Sequence, residues 1–435
     1  MLQETESLCD KCLAKIPAKI VENKGKIYLK KTCHKHGETT ALHFWDDPEI
    51  FRFFSRLDTL KTRSDQAILN VTYRCNLTCP VCYAKANEVA PNDLKVDRLK
   101  GLEKFKTVFI SGGEPTVRKD LPAIIQKIRK QRCRIVLFSN GIKIADFQYA
   151  KELKQAGLGA VILQFDTLDD QTNLFIRGKK LLKIKKRALA NLTKLNIKIT
   201  TSSVILRNKN FTQLPELLDF LIIQKNIKTI GLNPLKELGR FPEEIFVSSS
   251  EIVKRVNQIL NLKKKDWLAS TQFLVDLDNL MSFVKKRNRV FSKCRLKCLF
   301  FIQKNTCIPL TKIFNLEKIH SKILRLGNHP NHFKTIIFFV YLLLDQIFLN
   351  YLKNKYFRSY FFSFLKNILK HDKKNFSLLN PIKSFSVSVY PTSKNLDFDF
   401  IKSCNFTAYS KDDDGYRPAC LVRLNEYFKA ESNRE

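Results

Sequence analysis

Three cysteines stand close together in the stretch NVTYRCNLTCPVCYAKAN, residues 70–87. They are Cys75, Cys79 and Cys82, separated by four and then three positions. Three thiolates can bind three irons of a 4Fe-4S cluster and leave the fourth iron without a protein ligand. The amine and carboxylate of an amino acid could chelate that open iron. The spacing therefore predicts a catalytic cluster that has these three cysteines as ligands and binds a small molecule directly.

The elements that would position this loop follow a regular pattern. Strand-like apolar runs alternate with helical patterns; the runs are residues 67–72, 107–110, 135–138, 160–165, 197–204 and 228–233. Six β/α units in order predict a parallel sheet with right-handed crossovers, an open, partial (β/α)6 TIM-like barrel of the α/β class. Functional residues in such sheets collect after the carboxyl ends of the strands, and the three cysteines follow the first strand.

Two further motifs end the second and third predicted strands. SGGEP is residues 111–115, and SNG is residues 139–141. The adjacent Gly112 and Gly113 would let backbone groups approach a ligand without obstruction by side chains. Alone, GGEP is explained as well by a turn into the next helix. Its position at the strand end next to the cysteine loop favours a ligand site.

A second group of metal-type residues opens the chain. CDKC contains Cys9 and Cys12, and CHKHG contains Cys33, His34 and His36. Two such knuckles joined by a short hairpin suit a tetrahedral zinc or a single iron. We expect Cys9, Cys12, Cys33 and His36 as ligands, with His34 as the alternative for the fourth place; the other interpretation is thiols without a metal.

Five cysteines lie further along the chain: Cys294, Cys298, Cys307, Cys404 and Cys420. Four thiolates complete a closed 4Fe-4S cluster, and we expect Cys294, Cys298, Cys404 and Cys420 to do so. Such a cluster could relay an electron or bind substrate; with all four sites filled by cysteine, an electron-transfer or structural role is the simpler interpretation. Cys307, like Cys133 earlier in the chain, is expected to pack as a small hydrophobe.

The motifs CNLTCPVC, GGEP and SNG, together with the six-unit order, resemble the radical S-adenosylmethionine (SAM) superfamily over residues 63–240. The resemblance implies that SAM binds at the open iron and is cleaved reductively to a 5′-deoxyadenosyl radical. It implies that Gly112, Gly113 and Glu114 contact the methionyl amine and that Tyr83 lies near the adenine. The cofactor-binding set predicted from these motifs also contains Pro115, Ser139 and Asn140.

A narrower resemblance extends over nearly the whole chain. The N-terminal segment, LQFDT (163–167), IRGKKLL (176–182), LNPLKELGR (232–240) and the late cysteines are similar to the archaeal family that includes tetraether lipid synthase and the radical enzymes that methylate methanopterin. This resemblance implies that Gln164, Asp166, Arg177 and Asn233 line the cavity as SAM or substrate contacts. Alternatively, Asp166 could cap a helix and Arg177 could form an ordinary surface ion pair. Tetraether lipid synthase is associated with more than one auxiliary cluster, and five downstream thiols cannot ligate two.

The predicted organisation has three parts. Residues 1–60 form a metal-binding segment of the zinc-ribbon or rubredoxin type, and residues 61–285 form the radical SAM core. Residues 286–435 form an α+β domain with an auxiliary cluster and basic amphipathic helices.

Charge and cysteine usage predict the surroundings of the protein. The chain has 435 residues, twelve cysteines and a net charge of +36. Such a charge favours binding to nucleic acid or to an anionic membrane surface. A composition rich in Lys, Asn, Ile and Phe also results from an AT-biased genome, which would explain the charge without a partner. Cysteines grouped at short spacings, with no secretory leader at the start, predict a reducing, cytoplasmic location.

The segment 333–374 combines apolar and basic residues. The nine apolar residues 336–344 are too few to span a bilayer, which takes about 20. Downstream, Phe and Leu share one helical face and Lys and Arg the other, as in a helix that lies on a membrane surface. A core helix with a solvated basic face explains the pattern equally well.

The functional prediction is a radical SAM enzyme that forms carbon–carbon bonds on isoprenoid chains of archaeal lipids, with a low-potential electron donor such as ferredoxin or flavodoxin. The first alternative is methylation of a pterin or another heterocycle. The second is a basic iron–sulfur protein that binds nucleic acid, which is not expected, because such a protein has no use for an incomplete cysteine triad at a strand end.

Overall fold

The computed structural model describes residues 1–57, 65–88, 93–95, 101–242, 245–285, 293–303, 305–325, 356, 358, 382–402, 404, 406–410 and 415–432. Within these ranges it contains two sheets. The predicted amphipathic segment 333–374 lies outside them, apart from Tyr356 and Arg358.

The N-terminal sheet has four antiparallel strands in the order β1-β2-β3-β4. They are β1 (Gln3–Leu8), β2 (Lys15–Asn23), β3 (Lys26–Cys33) and β4 (Gly37–Leu42). Alternate residues of β2 and β3 are buried, as expected for strands with one solvated face. The tight turns after β1 and β3 carry the two cysteine knuckles.

Six parallel strands form the centre of the second sheet, confirming the predicted α/β order. They are β5 (Gln66–Thr72), β6 (Thr107–Gly112), β7 (Arg134–Ser139), β8 (Ala160–Gln164), β9 (Lys198–Ile205) and β10 (Ile227–Pro234). Each pairs in parallel with the next. The sheet is open, as the sequence predicts.

The sheet is larger than the six predicted strands, because segments from the last third of the chain extend both of its edges. These are β11 (Arg295–Gln303), β12 (Thr306–Pro309), β13 (Ile382–Ser388), β14 (Phe406–Ser410) and β15 (Gly415–Pro418). The resulting order is β12-β11-β13-β10-β9-β8-β7-β6-β5-β14-β15. The boundary predicted at residues 285 and 286 therefore does not separate two sheets, since β13 pairs with β10 and β14 pairs with β5.

Helices follow most of the parallel strands and bury apolar faces against the sheet. They are α1 (Pro48–Arg56), α2 (Leu121–Lys130), α3 (Phe147–Ala156), α4 (Asp170–Arg177), α5 (Leu182–Lys194), α6 (Leu214–Ile222), α7 (Ser249–Leu260), α8 (Lys264–Lys285), α9 (Leu316–Arg325), α10 (Phe398–Lys402) and α11 (Ala419–Ser432). Among the described residues, none of these helices is both long and apolar enough to cross a membrane.

Candidate active site

The cysteine loop begins directly after β5. Cys75, Cys79 and Cys82 pack in one small apolar cluster with Leu77 and Leu181. Burial, together with neighbouring negative groups that include the other two thiolates, raises the pKa of Cys75 to about 12. The fold thus brings the three predicted ligands together in one cluster.

Asn87 holds the start of the loop in place. Its Oδ1 accepts a hydrogen bond from the backbone N–H of Cys75 at 2.7 Å, and its Nδ2 donates to the carbonyls of Cys75 and Leu77 at 3.2 and 3.3 Å. Asn87 has φ of 71°, a left-handed conformation that asparagine tolerates better than most residues. The sequence analysis did not identify Asn87.

The LNPLKELGR motif closes over the other end of the loop. The backbones of Cys82 and Arg240 exchange two hydrogen bonds of 2.9 Å, and Nε of Arg240 donates to the carbonyl of Cys79 at 2.9 Å. Gly239 has φ of 80°, and a Cβ there would lie 2.2 Å from the carbonyl oxygen of Cys82. Glycine is therefore required for this close approach.

The two glycines of GGEP pack closely against the backbone at the start of the cysteine loop. The N–H of Gly113 donates to Thr72 O at 2.8 Å, and that of Glu114 donates to Arg74 O at 3.0 Å. A Cβ on Gly112 would lie 2.0 Å from the same Thr72 oxygen. Both glycines line the cavity described below, so a cofactor contact stays a prediction, but the absence of their side chains is already explained by packing.

The carboxylate of Glu114 joins GGEP to SNG. It is fully buried and accepts hydrogen bonds from Ser139 Oγ at 2.9 Å, from the N–H of Asn140 at 2.7 Å and from Thr116. Asn140 in turn donates to Asn76 Oδ1 in the cysteine loop at 2.7 Å. Pro115 begins the short 3-10 turn that Glu114 caps. The predicted motifs thus form one network at the carboxyl ends of β5, β6 and β7.

Asp166 and Arg177 form a buried, bidentate ion pair. Nε and Nη2 of Arg177 donate to the two oxygens of Asp166 at 2.9 and 2.8 Å, and Nη1 donates to Val81 O in the cysteine loop at 3.1 Å. Lys185, also buried, places its Nζ 2.8 Å from Gln164 O and 3.8 Å from Asp166. Neither alternative from the sequence holds, because the pair is buried and Asp169 caps the following helix.

A cavity of about 570 Å³ is lined by residues of the central strands and of β11, β13 and β14. The three loop cysteines lie at its upper end, where the strands terminate. The predicted residues Tyr83, Gln164, Arg177 and Asn233 also line it. Its volume falls in the usual range for small-molecule sites. Its position at the strand ends, beside the cysteine loop, fits a reaction centre.

Three of the four cysteines predicted for an auxiliary cluster line the same cavity. Cys294 precedes β11 at one end of the sheet, whereas Cys404 and Cys420 flank β14 and β15 at the other. Burial and the neighbouring Cys294 raise the pKa of Cys404 to about 11. The guanidinium of Arg295 lies 4.4 Å from the centre of the Phe406 ring and also bridges the two ends of the sheet.

Cys298 does not join this group. Lys297, its neighbour on β11, lines the cavity, and successive residues of a strand face opposite sides. Cys298 is therefore buried in the hydrophobic core, near Cys307. The structure contradicts the assignment of Cys298 to the auxiliary set, whereas the buried positions of Cys307 and Cys133 are those predicted for small hydrophobes.

The N-terminal group has the dimensions of a single-ion site. The ligand atoms of Cys9, Cys12, Cys33 and His36 all lie within 4.8 Å of one another. Cys12 Sγ and Cys33 Sγ are 3.8 Å apart, and His36 Nδ1 is 3.4 and 3.5 Å from Cys9 Sγ and Cys33 Sγ. A tetrahedron with Zn–S bonds of about 2.3 Å has edges of about 3.8 Å. Four donors therefore already stand at metal-binding distances, and the fourth is His36, since His34 is exposed.

Comparison with known proteins agrees with these two sites. Residues 69–221 match the model of the radical SAM superfamily. The chain therefore contains a radical SAM domain. Residues 1–44 match the HMPTM N-terminal zinc ribbon domain, which covers the four N-terminal ligands. The protein is therefore a radical SAM enzyme of the class that uses a 4Fe-4S cluster and SAM, with a ribbon suited to a metal ion at its N-terminus.

Several characterised proteins are similar over longer stretches of this radical SAM enzyme. The 7,8-dihydro-6-hydroxymethylpterin dimethyltransferase of Methanocaldococcus jannaschii is 28% identical over 382 residues, 76% of this chain and 75% of that protein. The Fe-coproporphyrin III synthase of Methanosarcina barkeri is 33% identical over 38% of this chain and 43% of its own length. The GTP 3',8-cyclase of Nautilia profundicola is 26% identical over 63% of this chain and 93% of its own length. The crystal structure of Streptococcus suis SuiB bound to SAM has a TM-score of 0.38 and 14% identity over 59% of this chain and 70% of that chain, too weak a similarity to bear on function.

Proposed function

We propose that this radical SAM enzyme methylates a pterin-type heterocycle. The pterin dimethyltransferase supports this proposal, because the alignment takes in three quarters of its length. The N-terminal ribbon supports it too, because it matches a ribbon model named for HMPTM proteins. The observation that carries the proposal is the unlike chemistry of the two walls of the cavity.

The middle of one wall of the cavity is apolar and partly aromatic, with polar residues such as Gln66, Asn70 and Gln164 towards its two ends, and the other wall is mainly polar. The apolar wall comes from β5–β8 and β14, with Ile68, Phe109, Phe138, Ile162 and Phe406. The polar wall comes from β9, β10 and β13, with Thr200, Ser202, Thr229, Asn233 and Ser386. A flat heteroaromatic ring can stack on the first wall and direct the hydrogen-bonding groups of its edge to the second.

An isoprenoid chain fits this lining less well. Hydrocarbon against the polar wall would separate hydroxyl and amide groups from water without giving them hydrogen-bond partners, which is unfavourable. The names of the three relatives given above refer to a pterin, a porphyrin and a nucleotide, and none of them refers to a lipid. The predicted coupling of lipid chains therefore has no support from these relatives, and methylation replaces it as the preferred reaction.

The residues of the loop fit the cluster that the family uses. In our proposal Cys75, Cys79 and Cys82 hold it, because their thiols converge in one apolar cluster that opens on the cavity. When bound, the cluster supplies the electron that cleaves SAM to a radical able to take hydrogen from an unactivated C–H bond. Asn87 and Arg240 hold the loop in shape, and the Asp166–Arg177 pair fixes its middle through Val81 O.

We also propose that Cys294, Cys404 and Cys420 hold an auxiliary iron–sulfur cluster, with no contribution from Cys298. The two ends of the sheet supply these thiols, and two cations line the cavity beside them, Lys236 and Arg295. Cations suit the negative charge of such a cluster. With three thiolates instead of four, one iron would lack a cysteine ligand. We therefore replace the electron-transfer role expected from the sequence with a role in which substrate can approach the cluster.

The proposed reaction can be tested with anaerobically reconstituted full-length protein. The assay contains SAM as the radical source, a methyl donor (a second molecule of SAM or a reduced pterin that carries a one-carbon unit), a low-potential reductant and either 7,8-dihydro-6-hydroxymethylpterin or an archaeal lipid, and mass spectrometry follows both substrates. We expect the pterin to become heavier by one or two CH2 units and the lipid to stay unchanged. The Cys79→Ala variant should give neither a methylated pterin nor 5′-deoxyadenosine. Coupled lipid chains, or 5′-deoxyadenosine with both substrates unchanged, would contradict the proposal.

A further inference from the structure

A half-buried lysine, Lys297, lines the cavity and has no carboxylate in contact with it within the described part of the chain. Lys297 lies on β11, and its side chain lines the cavity. Within the part of the chain that the structure describes, no carboxylate lies within 4.0 Å of its Nζ. Burial, together with the like charge of Arg295, lowers the pKa of Lys297 to about 8. The carboxylate of Asp278 offsets part of this lowering from beyond ion-pair distance, so the ammonium has no carboxylate in direct contact, unlike most buried cations.

Most other cations of the cavity have neighbours that account for them. Arg177, Arg240 and Arg423 pair with Asp166, Glu88 and Glu426. The ammonium of Lys236 lies 4.0 and 3.7 Å from the ring centres of Tyr83 and Tyr390, and Arg295 lies over Phe406. Lys297 is therefore the cation of the cavity whose role the proposed chemistry leaves open.

Two hydroxyl groups stand at the same level of the sheet as Lys297. The register pairs Lys297 with Ser386 on β13, Ser386 with Gly231 on β10, and Gly231 with Ser202 on β9. Both serines line the cavity. Ser202 Oγ accepts a hydrogen bond from Asn233 at 3.0 Å, so its own O–H stays able to donate.

The backbone of Lys297 is fixed by helix α8. Thr271 Oγ1 accepts from the N–H of Lys297 at 2.9 Å and donates to its carbonyl at 3.1 Å. These bonds hold the part of β11 that β12 does not pair with, and they fix the Cα from which the side chain of Lys297 extends. A lysine with a fixed backbone, in a cavity that presents serine hydroxyls at the same level of the sheet, can bind phosphate or carboxylate oxygens.

We propose that Lys297, together with Ser202 and Ser386, binds an anionic substituent of the substrate, a phosphate or a carboxylate. The inference rests on the proposed function for the identity of the ring. It narrows the substrate to a pterin that carries this charge on its side chain. The anion is held on the polar wall, and the ring extends from there along the cavity.

Binding, measured separately from turnover, tests this inference. Three ligands are titrated anaerobically into the reconstituted full-length protein by fluorescence: the neutral 6-hydroxymethyl dihydropterin, its phosphate ester, and a pterin with a carboxylate at the same position. We expect one anionic ligand to bind at least tenfold more tightly than the neutral one, and the stronger of the two identifies the anion. The Lys297→Met variant should lose that preference, a decrease of roughly 10- to 100-fold, because a hydrogen bond to a charged group contributes about 1.5–3 kcal/mol.

Control variants separate binding from folding. Lys198→Met removes an exposed lysine from β9 and should leave all three affinities unchanged. Lys297→Arg should keep most of the preference, and Ser386→Ala should weaken it without removing charge. Equal affinities for the neutral and anionic ligands, or an unchanged preference in Lys297→Met, would overturn the inference while leaving pterin methylation intact. Failure of all three ligands to bind would instead count against the proposed function.

Discussion

At the residue scale, the reaction centre depends on side chains that hold the cysteine loop as much as on the thiols. Asn87 and Arg240 bind its two ends, and Arg177 reaches its middle. Each interaction is to a backbone group of the loop, so the positions of the sulfur atoms depend on residues far away in the sequence. The buried Asp166 is the origin of one such chain of contacts, because it orients Arg177.

Replacement of Asp166 by asparagine should destabilise the protein strongly. The change leaves the Arg177 guanidinium buried without its anion, and removing one partner of a buried pair costs about 3–5 kcal/mol. The free energy of unfolding, measured by urea denaturation of the apoprotein under anaerobic conditions, should fall by about that amount.

Asp399→Asn provides the matched control. Asp399 pairs with Lys402 on the surface, where such pairs contribute about 0–1 kcal/mol. If Asp166→Asn were no more destabilising than this control, the buried pair would not be holding the loop.

At the scale of elements, the alternation of β11 determines which cysteines can meet. Lys297 and Cys298 are neighbours in the chain but face opposite sides of the sheet. Cys294 lies before the strand, so the alternation of side chains along β11 does not apply to it and it can reach the cavity.

Replacing a cysteine that faces the cavity should therefore change the iron content of the protein, whereas replacing one that faces the core should not. Alanine at Cys294, Cys404 or Cys420 should lower the iron and sulfide of the anaerobically reconstituted protein by about four of each per chain, the content of one cluster. Cys298→Ala should retain the content of the wild type, because its thiol lies in the core. Equal losses in all four variants would contradict the three-thiol set, and Cys307→Ala serves as a second core control.

At the scale of the whole molecule, the N-terminal ribbon is fastened to the barrel by buried polar contacts. Asp46 lies between the ribbon and α1, where it accepts hydrogen bonds from Ser249 Oγ and the N–H of Ser250, each at 2.9 Å. It also pairs with Lys26 on β3. One carboxylate thus joins the ribbon to the N-terminus of α7, where a negative charge is favourable.

Asp46→Ala should loosen the ribbon without unfolding the sheet. Loss of the carboxylate leaves buried donors without an acceptor, which costs about 1–3 kcal/mol. Hydrogen exchange should become faster in β1–β4 and α7, whereas β6–β8 should keep the protection of the wild type. Glu6→Gln, which breaks the exposed pair with Lys15, should leave all of these rates unchanged; a uniform increase across both sheets in Asp46→Ala would show that the two parts unfold together.

The amino-acid sequence by itself predicted the cysteine triad, the three cysteine ligands of the ribbon and the order of the six central strands. These features are local: ligand spacing spans a few residues, and each strand or helix shows in the periodicity of its own apolar side chains. The choice between His34 and His36 was left open by spacing and was made by the exposure of His34 in the folded ribbon.

Only the tertiary structure decided which distant residues meet. The placement of β11, β13 and β14 on both edges of the core sheet, the exclusion of Cys298 and the isolation of Lys297 all follow from pairing between strands far apart in the sequence. Such pairing depends on the register of neighbouring strands, and a shift of one residue reverses which side chains face the cavity. The composition of the cavity walls, on which the proposed preference for a pterin over a lipid rests, is set at that level.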